Sequence, residues 1–291
     1  MNVKKLKKKV STFVIYVLAI FVALVFAFPI LYMISISFKR SLDIVTWPPK
    51  IIFFEPTLDN WLWFLFSADV TAMAPQEGRR IIEIYLPNSI IVATVTTLLS
   101  VSTIILIAYS LARFNYWGRK PIAFSLIVIR MIPPVAAAVP IYIFVNSIGL
   151  RDTLPGLIGP YSAFNIAFGT WILYGFFKEL PVEVEESALV DGCTRMQALF
   201  RIILPLLAPG LAVVAVFSFI FAWNDFIIAL FLTAVNSKTM PIAALGFYAE
   251  EGVFWGPMCA YGTVYIIPTI IFVALVQKYI IKGLTFGAVK G

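Results

Sequence analysis

The chain has 291 residues, of which 61% are hydrophobic and only 13% are charged. An ordinary globular domain carries about 25% charged residues, so this composition excludes a soluble protein and indicates a membrane protein with several spans. The net charge of +7 does not indicate nucleic acid binding, because the lysines and arginines lie beside apolar runs, where they set topology.

The N-terminal segment is a lysine cluster followed by an uncharged run. Residues 1–12 hold five lysines, which predicts a cytoplasmic basic N-terminus, and the run behind them predicts a first span at about 13–37. That run is too long for the apolar part of a signal peptide and lacks an A-x-A cleavage site, so we expect a retained span. An outer loop at 39–83 carries both signs of charge, and we expect it to contain a short surface helix.

Five further apolar runs follow along the chain. They predict spans at about 86–111, 121–146, 154–177, 206–233 and 260–281. Positive residues at 113–120 place the loop after the second span inside the cell, so both termini lie in the cytoplasm. The expected fold is therefore all-α: a polytopic integral membrane protein with a transmembrane domain at 13–281 and a cytoplasmic tail at 282–291.

The segment at 178–205 differs from the rest because charged and apolar residues alternate there at helical spacing. Pro181 suits a first helical turn, and it precedes carboxylates that the helix dipole favours: Glu183, Glu185 and Glu186. Gly192 predicts the end of that helix, and Thr194 with Gln197 forms a capping-box pattern for a second one. The second helix has an apolar side made of Leu199, Ile202 and Ile203, and Pro205 constrains its end. We therefore predict two short helices joined at a bend in a cytoplasmic loop.

This segment resembles the EAA motif of the permease subunits of bacterial ABC importers. The motif reads Glu-Ala-Ala, three residues, Gly, nine residues and Ile-x-Leu-Pro. Here Glu186, Ser187 and Ala188 stand at the first triplet, with Ser187 in place of an alanine, and Gly192 follows after three residues. Ile202-Ile203-Leu204-Pro205 then stands after nine more.

The resemblance extends over roughly residues 85–291. Trp223-Asn224-Asp225-Phe226 is similar to the Trp-Asn-(Asp/Glu)-Phe element of sugar-importer permeases. The segment from Asn88 to Phe114 also resembles that family. The tail at 282–291 resembles the C-terminal end of one subunit type in its maltose-transporter-like branch.

The resemblance implies the six-helix fold of type I ABC importer permeases and a bacterial or archaeal inner-membrane location. It implies four kinds of partner besides membrane lipid: two ABC ATPase subunits, a second homologous permease, an extracytoplasmic solute-binding protein and a carbohydrate or polyol substrate. ATP and Mg would be bound by the ATPase subunits, and we expect no cofactor in this chain. The sequence agrees, since it contains no G-x-x-x-x-G-K-[ST] loop.

The residues that the resemblance assigns to ATPase coupling are Glu186, Ser187, Ala188, Asp191, Gly192, Leu204 and Pro205. The carboxylates of Glu186 and Asp191 can pair with arginines of the partner. The tail contributes Gly287, Lys290 and Gly291, which the resemblance places inside the ATPase dimer. A short polar tail without that role would be disordered.

Polar residues inside predicted spans are the candidates for a translocation path: Arg130, Asn165, Asn224 and Asp225. Ionisable residues within a membrane are costly and usually face the protein interior or a water-filled path. The alternative for Arg130 is snorkelling or a structural ion pair, for example with Asp225. The alternative for Asn224 and Asp225 is interhelical packing or gating, and Trp171 in the fourth predicted span is a weaker candidate of the same kind.

Two other classes of function remain open from the residues alone. A stand-alone secondary transporter or channel would be expected to contain internal repeats and ion-coupling carboxylates, yet Asp225 is the lone acid well inside a predicted span. An integral-membrane enzyme would need a catalytic cluster, and the chain has no histidine to supply a general base or a metal ligand. The two cysteines, Cys193 and Cys259, fall in different predicted loops or spans, so we expect no disulfide.

Overall fold

The computed structural model of the protein describes residues 3–51, 53–66, 80–249 and 252–287. Within them the fold is α-helical apart from one antiparallel pair of two-residue strands, β1 (Tyr248–Ala249) and β2 (Gly252–Val253). Two compact units are present, one made of residues 1–79 with 245–266 and the other of residues 80–244 with 267–291.

The first unit contains the N-terminal helix and most of the first predicted outer loop. Its helices are α1 (Val3–Ser37), α2 (Ser41–Ile44) and α3 (Asp59–Phe66). The side chain of Asn60 fixes α3, because its Nδ2 donates to the carbonyls of Ser37 and Lys39 at 3.0 and 2.9 Å. The loop thus contains short helices, α2 and α3, as expected, and their position at the membrane surface stays a prediction. Residues 52 and 67–79 of that loop lie outside the described residues.

The second unit contains most of the remaining helices. They are α4 (Leu86–Arg113), α5 (Arg119–Met131), α6 (Pro134–Ser147), α7 (Leu154–Glu179), α8 (Glu183–Val190), α9 (Arg195–Ala198), α10 (Leu204–Leu206), α11 (Ala208–Asn224), α12 (Ile227–Leu232) and α13 (Met240–Ala243). π-Helical turns at Ile81–Tyr85 and Leu199–Ile203 precede α4 and α10, and a 3₁₀ turn at Ala244–Phe247 follows α13. The last helix, α14, runs over Trp255–Gly287.

Close packing in the second unit depends on small residues between α4, α7 and α11. Gly169 on α7 allows the closest approach, since a Cβ there would lie 2.4 Å from Cδ1 of Ile104 and 3.0 Å from Cγ1 of Val214. Ile104 and Val214 are fully buried in the core of this unit. Helices in a membrane associate through such small-residue contacts, because lipid supplies little hydrophobic drive for helix association.

Three helical segments of the described residues are long and apolar enough to cross a membrane by length and composition: Ser11–Ser37, Ile81–Arg113 and Trp255–Tyr279. Two bent pairs add one candidate each, Arg119–Met131 with Pro134–Ser147 and Arg195–Leu206 with Ala208–Asn224. Helix α7, expected as the fourth span, has 26 residues and is less apolar than these. The polytopic all-α class is thus confirmed, and the boundaries of the individual spans stay predictions.

Two of the predicted spans are broken in ways that hydropathy does not predict. The run expected as one span at 121–146 forms α5 and α6, which meet at a 102° bend. Pro134 disfavours helical geometry at Pro133, whose φ of −60° and ψ of 132° are extended. The run expected at 206–233 breaks at Asp225, which is also extended, and α12 begins as a separate helix two residues later.

A carboxylate ties the loop between α6 and α7 to the segment that follows α12. Asp152 accepts hydrogen bonds from the four backbone N–H groups of residues 234–237, at 2.9–3.2 Å. Burial alone would raise the pKa of Asp152, but these N–H donors outweigh it and hold the pKa well below its usual range. Asn88 at the start of α4 holds the same segment, donating to the carbonyls of Asn236 and Lys238.

We expect Asp152→Ala to lower the thermal unfolding midpoint of the detergent-solubilised protein by about 3 °C or more at neutral pH. The partly exposed carboxylate should contribute about 1 kcal/mol or more, which corresponds to about 2–4 °C in a chain of this size. A depressed pKa means that this stability is present above the ordinary aspartate range and is lost only as pH falls through the lower native value. The difference from wild type should therefore stay constant between about pH 5 and 8.

The matched control for this change is Glu179→Ala, which removes an exposed carboxylate at the end of α7. We expect its midpoint to equal that of the wild type. If the unfolding midpoints of the wild type and Asp152→Ala became equal by about pH 5.5, the depressed pKa of Asp152 would be contradicted.

Candidate functional site

The segment at 178–205, expected to be a cytoplasmic loop, forms the two helices that its sequence predicts. Helix α8 ends before Gly192, which has a φ of +87° and no atom within 4 Å of the place where a Cβ would stand. Thr194 begins α9 with a reciprocal capping box: its Oγ1 accepts from the N–H of Gln197 at 3.3 Å, and its own N–H donates to Oε1 of Gln197 at 2.8 Å. The predicted bend and cap are both confirmed.

Glu185 differs from Glu183 and Glu186, the two other acids that the sequence places in the first turn, because it is buried while they are exposed. Only 3% of its side chain is exposed, and Oε1 accepts a hydrogen bond from the hydroxyl of Tyr109 at 2.5 Å. Oε2 accepts from Nε of Arg113 at 3.0 Å, and the guanidinium of Arg195 lies 3.6 Å from Oε1. Glu185 therefore fixes α8 to the end of α4, which the sequence pattern did not predict.

From the sequence, Arg113 is one of the positive residues that predict topology, but in the structure it also fixes the loop. Its side chain is 6% exposed, and its guanidinium donates to the carbonyl of Leu180 at 3.1 Å as well as to Glu185. The loop is thus held at Leu180, where it leaves α7, and again at Glu185. A buried ion pair contributes little by itself but costs several kcal/mol when one partner is removed, so this pair sets the position of the loop.

The inner side of the second short helix packs into the core of the unit. Leu199 and Ile203 are fully buried among residues of α4, α7 and α11, including Ile104, Phe177 and Val214. Ile202, expected on the same apolar side, is only half-buried because the turn at Leu199–Ile203 is π-helical. The loop is therefore part of the packed unit and not a free connection.

The outer side of the loop presents an exposed face with large apolar residues. Val190 is 87% exposed, Met196 51% and Phe200 53%. Glu186, Ser187, Asp191, Gly192 and Pro205 are exposed as well, whereas Ala188 is buried and Leu204 is half-buried. Exposed apolar side chains rimmed by polar ones are typical of a protein–protein contact surface.

The four polar residues predicted for a translocation path line one cavity of about 520 Å³. Arg130, Asn165, Asn224 and Asp225 come from α5, α7 and the break after α11, and aromatic side chains such as Phe164 and Phe221 share the lining. Trp171 is not among the lining residues and contacts Tyr174 instead. The sequence identified each of the four residues, but their convergence is a property of the fold.

The two charged residues of the cavity, Arg130 and Asp225, make different contacts. The Arg130 guanidinium lies over the rings of Phe168 and Phe221, 4.7 and 4.3 Å from their centroids. Within the described part of the chain Arg130 forms no ion pair with Asp225, so the structural pair considered from the sequence is not found. Asp225 instead accepts at Oδ1 from the N–H groups of Ile228 and Ala229.

The two asparagines bond to neighbouring backbone. Asn165 is buried on α7 and donates to the carbonyl of Ser218 on α11 at 3.0 Å. Asn224 is exposed and donates to the carbonyl of Ile220 one turn earlier. Asn165 therefore joins α7 to α11, although the sequence suggested such an interhelical role for Asn224 and Asp225. The bond from Asn224 to Ile220 lies within α11.

The remaining predicted features are partly covered by the structure. Helix α14 continues to Gly287, beyond the span end expected near residue 281, while Lys290 and Gly291 lie outside the described residues. Cys193 and Cys259 are both free cysteines. Within the described residues no group of three or more acids and cysteines is placed to hold a metal ion.

Comparison with known proteins identifies the family of this architecture. Residues 104–285 match the model of the binding-protein-dependent transport system inner membrane component family. The trehalose/maltose transport system permease protein MalG of Thermococcus litoralis is 35% identical over 275 residues, covering 94% of this chain and 95% of that protein. The trehalose transport system permease protein SugB of Mycobacterium tuberculosis is 36% identical over 268 residues, covering 90% of this chain and 92% of that protein.

A solved structure shares the fold. A chain of a bacterial ABC transporter involved in the import of the acidic polysaccharide alginate superimposes with a TM-score of 0.71, covering 94% of this chain and 97% of that one. The sequence identity of 22% makes this a likeness of fold alone.

We expect Glu185→Ala to destabilise the detergent-solubilised protein strongly, because Arg113 would stay buried without its carboxylate. Breaking a buried pair in this way costs roughly 3–5 kcal/mol. Glu183→Ala is the matched control: it removes an exposed acid from the same helix and should change stability by less than about 0.5 kcal/mol. Thermal unfolding measures both, and equal midpoints for the two variants would contradict the anchoring role of Glu185.

Proposed function

Because this chain belongs to the family of binding-protein-dependent transport system inner membrane components, we propose that it is a transmembrane permease subunit of an ATP-driven ABC importer. With a second permease it would form a path that opens alternately to the two sides of the membrane. The observation that carries the mechanism is the loop around Glu186, which is anchored from inside by Glu185 and leaves its outer face exposed.

The proposed partners are two ABC ATPase subunits, a second homologous permease and an extracytoplasmic solute-binding protein. ATP and Mg would be bound by the ATPase subunits, so this chain would act as a transport subunit without a catalytic site of its own. The sequence supports this division, because it contains no phosphate-binding G-x-x-x-x-G-K-[ST] loop.

The coupling loop, residues 178–205, would dock on one ATPase subunit and transmit its closure. Val190, Met196 and Phe200 offer an apolar contact surface, and the exposed carboxylates of Glu186 and Asp191 offer charge-assisted contacts for partner arginines. Since Glu185 is bonded to Tyr109 and Arg113, a displacement of the loop would be transmitted directly to the end of α4. Gly287, Lys290 and Gly291 of the tail are proposed to contact the ATPase pair as well.

The proposed substrate is a sugar, an oligosaccharide or a polyol. The relatives from Thermococcus litoralis and Mycobacterium tuberculosis are permeases for trehalose/maltose and for trehalose. Arg130, Asn165, Asn224 and Asp225 are the proposed residues of the path, and the cavity that they share supports this assignment.

The proposed location is the bacterial or archaeal inner membrane, with both termini in the cytoplasm. Lysines at the N-terminus and positive residues at 113–120 support this orientation by the positive-inside rule. The coupling loop would then lie on the cytoplasmic side, where the ATPase subunits bind.

We expect Gly192→Val to abolish coupling without unfolding the membrane domain. Any non-glycine residue at a φ of +87° costs roughly 1–2 kcal/mol, and the open space around Gly192 means that further crowding would come from the docked partner. Gly149→Val is the matched control, because Gly149 has a φ of +71° and equally open surroundings but lies outside the coupling loop.

Glu186→Lys should act like Gly192→Val, through charge reversal at the docking surface, and Glu183→Lys is its control on the same helix. The measurement is ATP hydrolysis by the reconstituted complex with and without substrate-loaded binding protein. Both coupling variants should assemble normally and lose the stimulation. Full stimulation and uptake by both would show that this loop is not the coupling element.

The orientation is tested by single cysteines in a background of Cys193→Ser and Cys259→Ala. Leu245→Cys replaces a side chain that is 47% exposed after the fifth predicted span, and Val190→Cys replaces the exposed residue of the coupling loop. A membrane-impermeant thiol reagent should label position 245 only from outside and position 190 only from inside. Labelling of position 245 from the cytoplasmic side alone would refute the proposed topology.

A further inference from the structure

The large cavity in the second unit lies where two helices are broken. Its lining includes Ile132 and Pro134 at the bend between α5 and α6, and Asn224 and Asp225 at the break between α11 and α12. Non-helical backbone at membrane depth is tolerated only where protein buries it or where it lines a water-filled cavity. Two breaks that open on one cavity therefore indicate a chamber built into the fold, with polar side chains on a largely apolar lining, and not a packing defect.

The cavity lies near the middle of the bilayer in the proposed orientation. Arg130 comes eleven residues after the start of α5, and Asn165 comes eleven residues after the start of α7. Each is therefore about 16 Å along its helix, close to half of the roughly 30 Å hydrocarbon thickness. Because α5 would begin on the cytoplasmic side and α7 on the opposite side, both residues reach the same depth.

Arg130 donates no hydrogen bond to any other described residue, and aromatic rings hold its guanidinium in place. Its guanidinium lies over the rings of Phe168 and Phe221, so the aromatic faces fix the group by cation–π contact. The side chain is exposed, and no carboxylate of the described residues lies within 4.0 Å of it. A guanidinium has five N–H donors in its plane, which stay available at this position.

Asp225 supplies the opposite charge in the same cavity. Its Oδ1 accepts from the N–H groups of Ile228 and Ala229, which caps the first turn of α12 and fixes the carboxylate. The side chain of Tyr161 also forms a hydrogen bond with this carboxylate. An ionised carboxylate has about four lone-pair sites, so acceptor capacity is left over after these three bonds. Donors and acceptors are thus both fixed on one cavity whose two formal charges sum to zero.

We infer that this subunit contacts the transported substrate directly, by binding one ring of an uncharged carbohydrate in the cavity between Arg130 and Asp225. This inference rests on the proposed function and names the substrate class of its path. Sugar hydroxyls both donate and accept, so they match a cavity with one guanidinium, one carboxylate and aromatic rings. The volume of about 520 Å³ lies within the range of roughly 300–1,000 Å³ for small-ligand sites. Because the charges of Arg130 and Asp225 cancel, the cavity offers an acidic sugar no net positive charge.

The test uses the full complex with its own binding protein in proteoliposomes. The probes are radiolabelled maltose and trehalose, with the acidic disaccharide digalacturonate as the charged comparison. Two variants remove one charge each: Arg130→Met, and Asp225→Asn, which keeps the ability to cap α12. Arg151→Met is the matched control. The guanidinium carbon of Arg151 also lies over an aromatic ring, 5.3 Å from the ring centroid of Tyr142, but Arg151 does not line the cavity.

Uptake per ATP hydrolysed is the deciding measurement, with complex yield as the check on assembly. We expect Arg130→Met and Asp225→Asn to lower uptake of the neutral sugar by about tenfold or more, since each removes hydrogen bonds to a charged group. Stimulation of ATP hydrolysis by loaded binding protein should remain, and Arg151→Met should behave as wild type. A role in folding or coupling would change yield or stimulation instead.

Four results would overturn the inference. Wild-type uptake of neutral sugar by both variants would show that the cavity does not contact the substrate, and would leave the proposed function standing. Loss of assembly by Arg130→Met together with normal uptake by Asp225→Asn would show a structural arginine. Uptake of digalacturonate but of neither neutral sugar would contradict the uncharged class. Absence of uptake for every probe would refute the proposed carbohydrate substrate itself, and the inference with it.

Discussion

The buried contact between Glu185 and the end of α4 is the interaction on which the rest of the structure depends. The carboxylate of Glu185 is 3% exposed and accepts hydrogen bonds from the hydroxyl of Tyr109 and the guanidinium of Arg113. These bonds offset the cost of burying the two charges. Its partners lie 76 and 72 residues away in sequence. The polar loop is thereby part of a packed unit, and its outer side chains stay exposed.

The broken helices follow from the same rule that polar groups in a membrane must be satisfied. At the first break, Pro133 and Pro134 have no N–H to leave unpaired, so bending the chain there exposes fewer donors. At the second break, the carboxylate of Asp225 accepts the first N–H groups of α12. Each break is thus locally satisfied, and the two together enclose the chamber that also contains Arg130.

The features predicted correctly from the sequence are those that depend on neighbours within a few residues. Gly192 adopts the left-handed conformation expected of it, and Thr194 forms its cap with Gln197, three residues later. The features that were missed join distant segments. Nothing in the local pattern distinguishes the buried Glu185 from the exposed Glu183 and Glu186, although the spacing of Tyr109 and Arg113 one helical turn apart places both on one face of α4.

The sequence by itself determined the class of protein, the helical runs and the identity of the polar residues inside them, because hydropathy and capping act over short distances along the chain. Only the tertiary structure decided which of those residues meet. Arg130, Asn165 and Asp225 come together because helices that are distant in sequence pack at small residues such as Gly169 and break at Pro133 and Asp225. The cause is physical: the bilayer favours any apolar run of sufficient length, but contact between side chains depends on how the helices bend and pack.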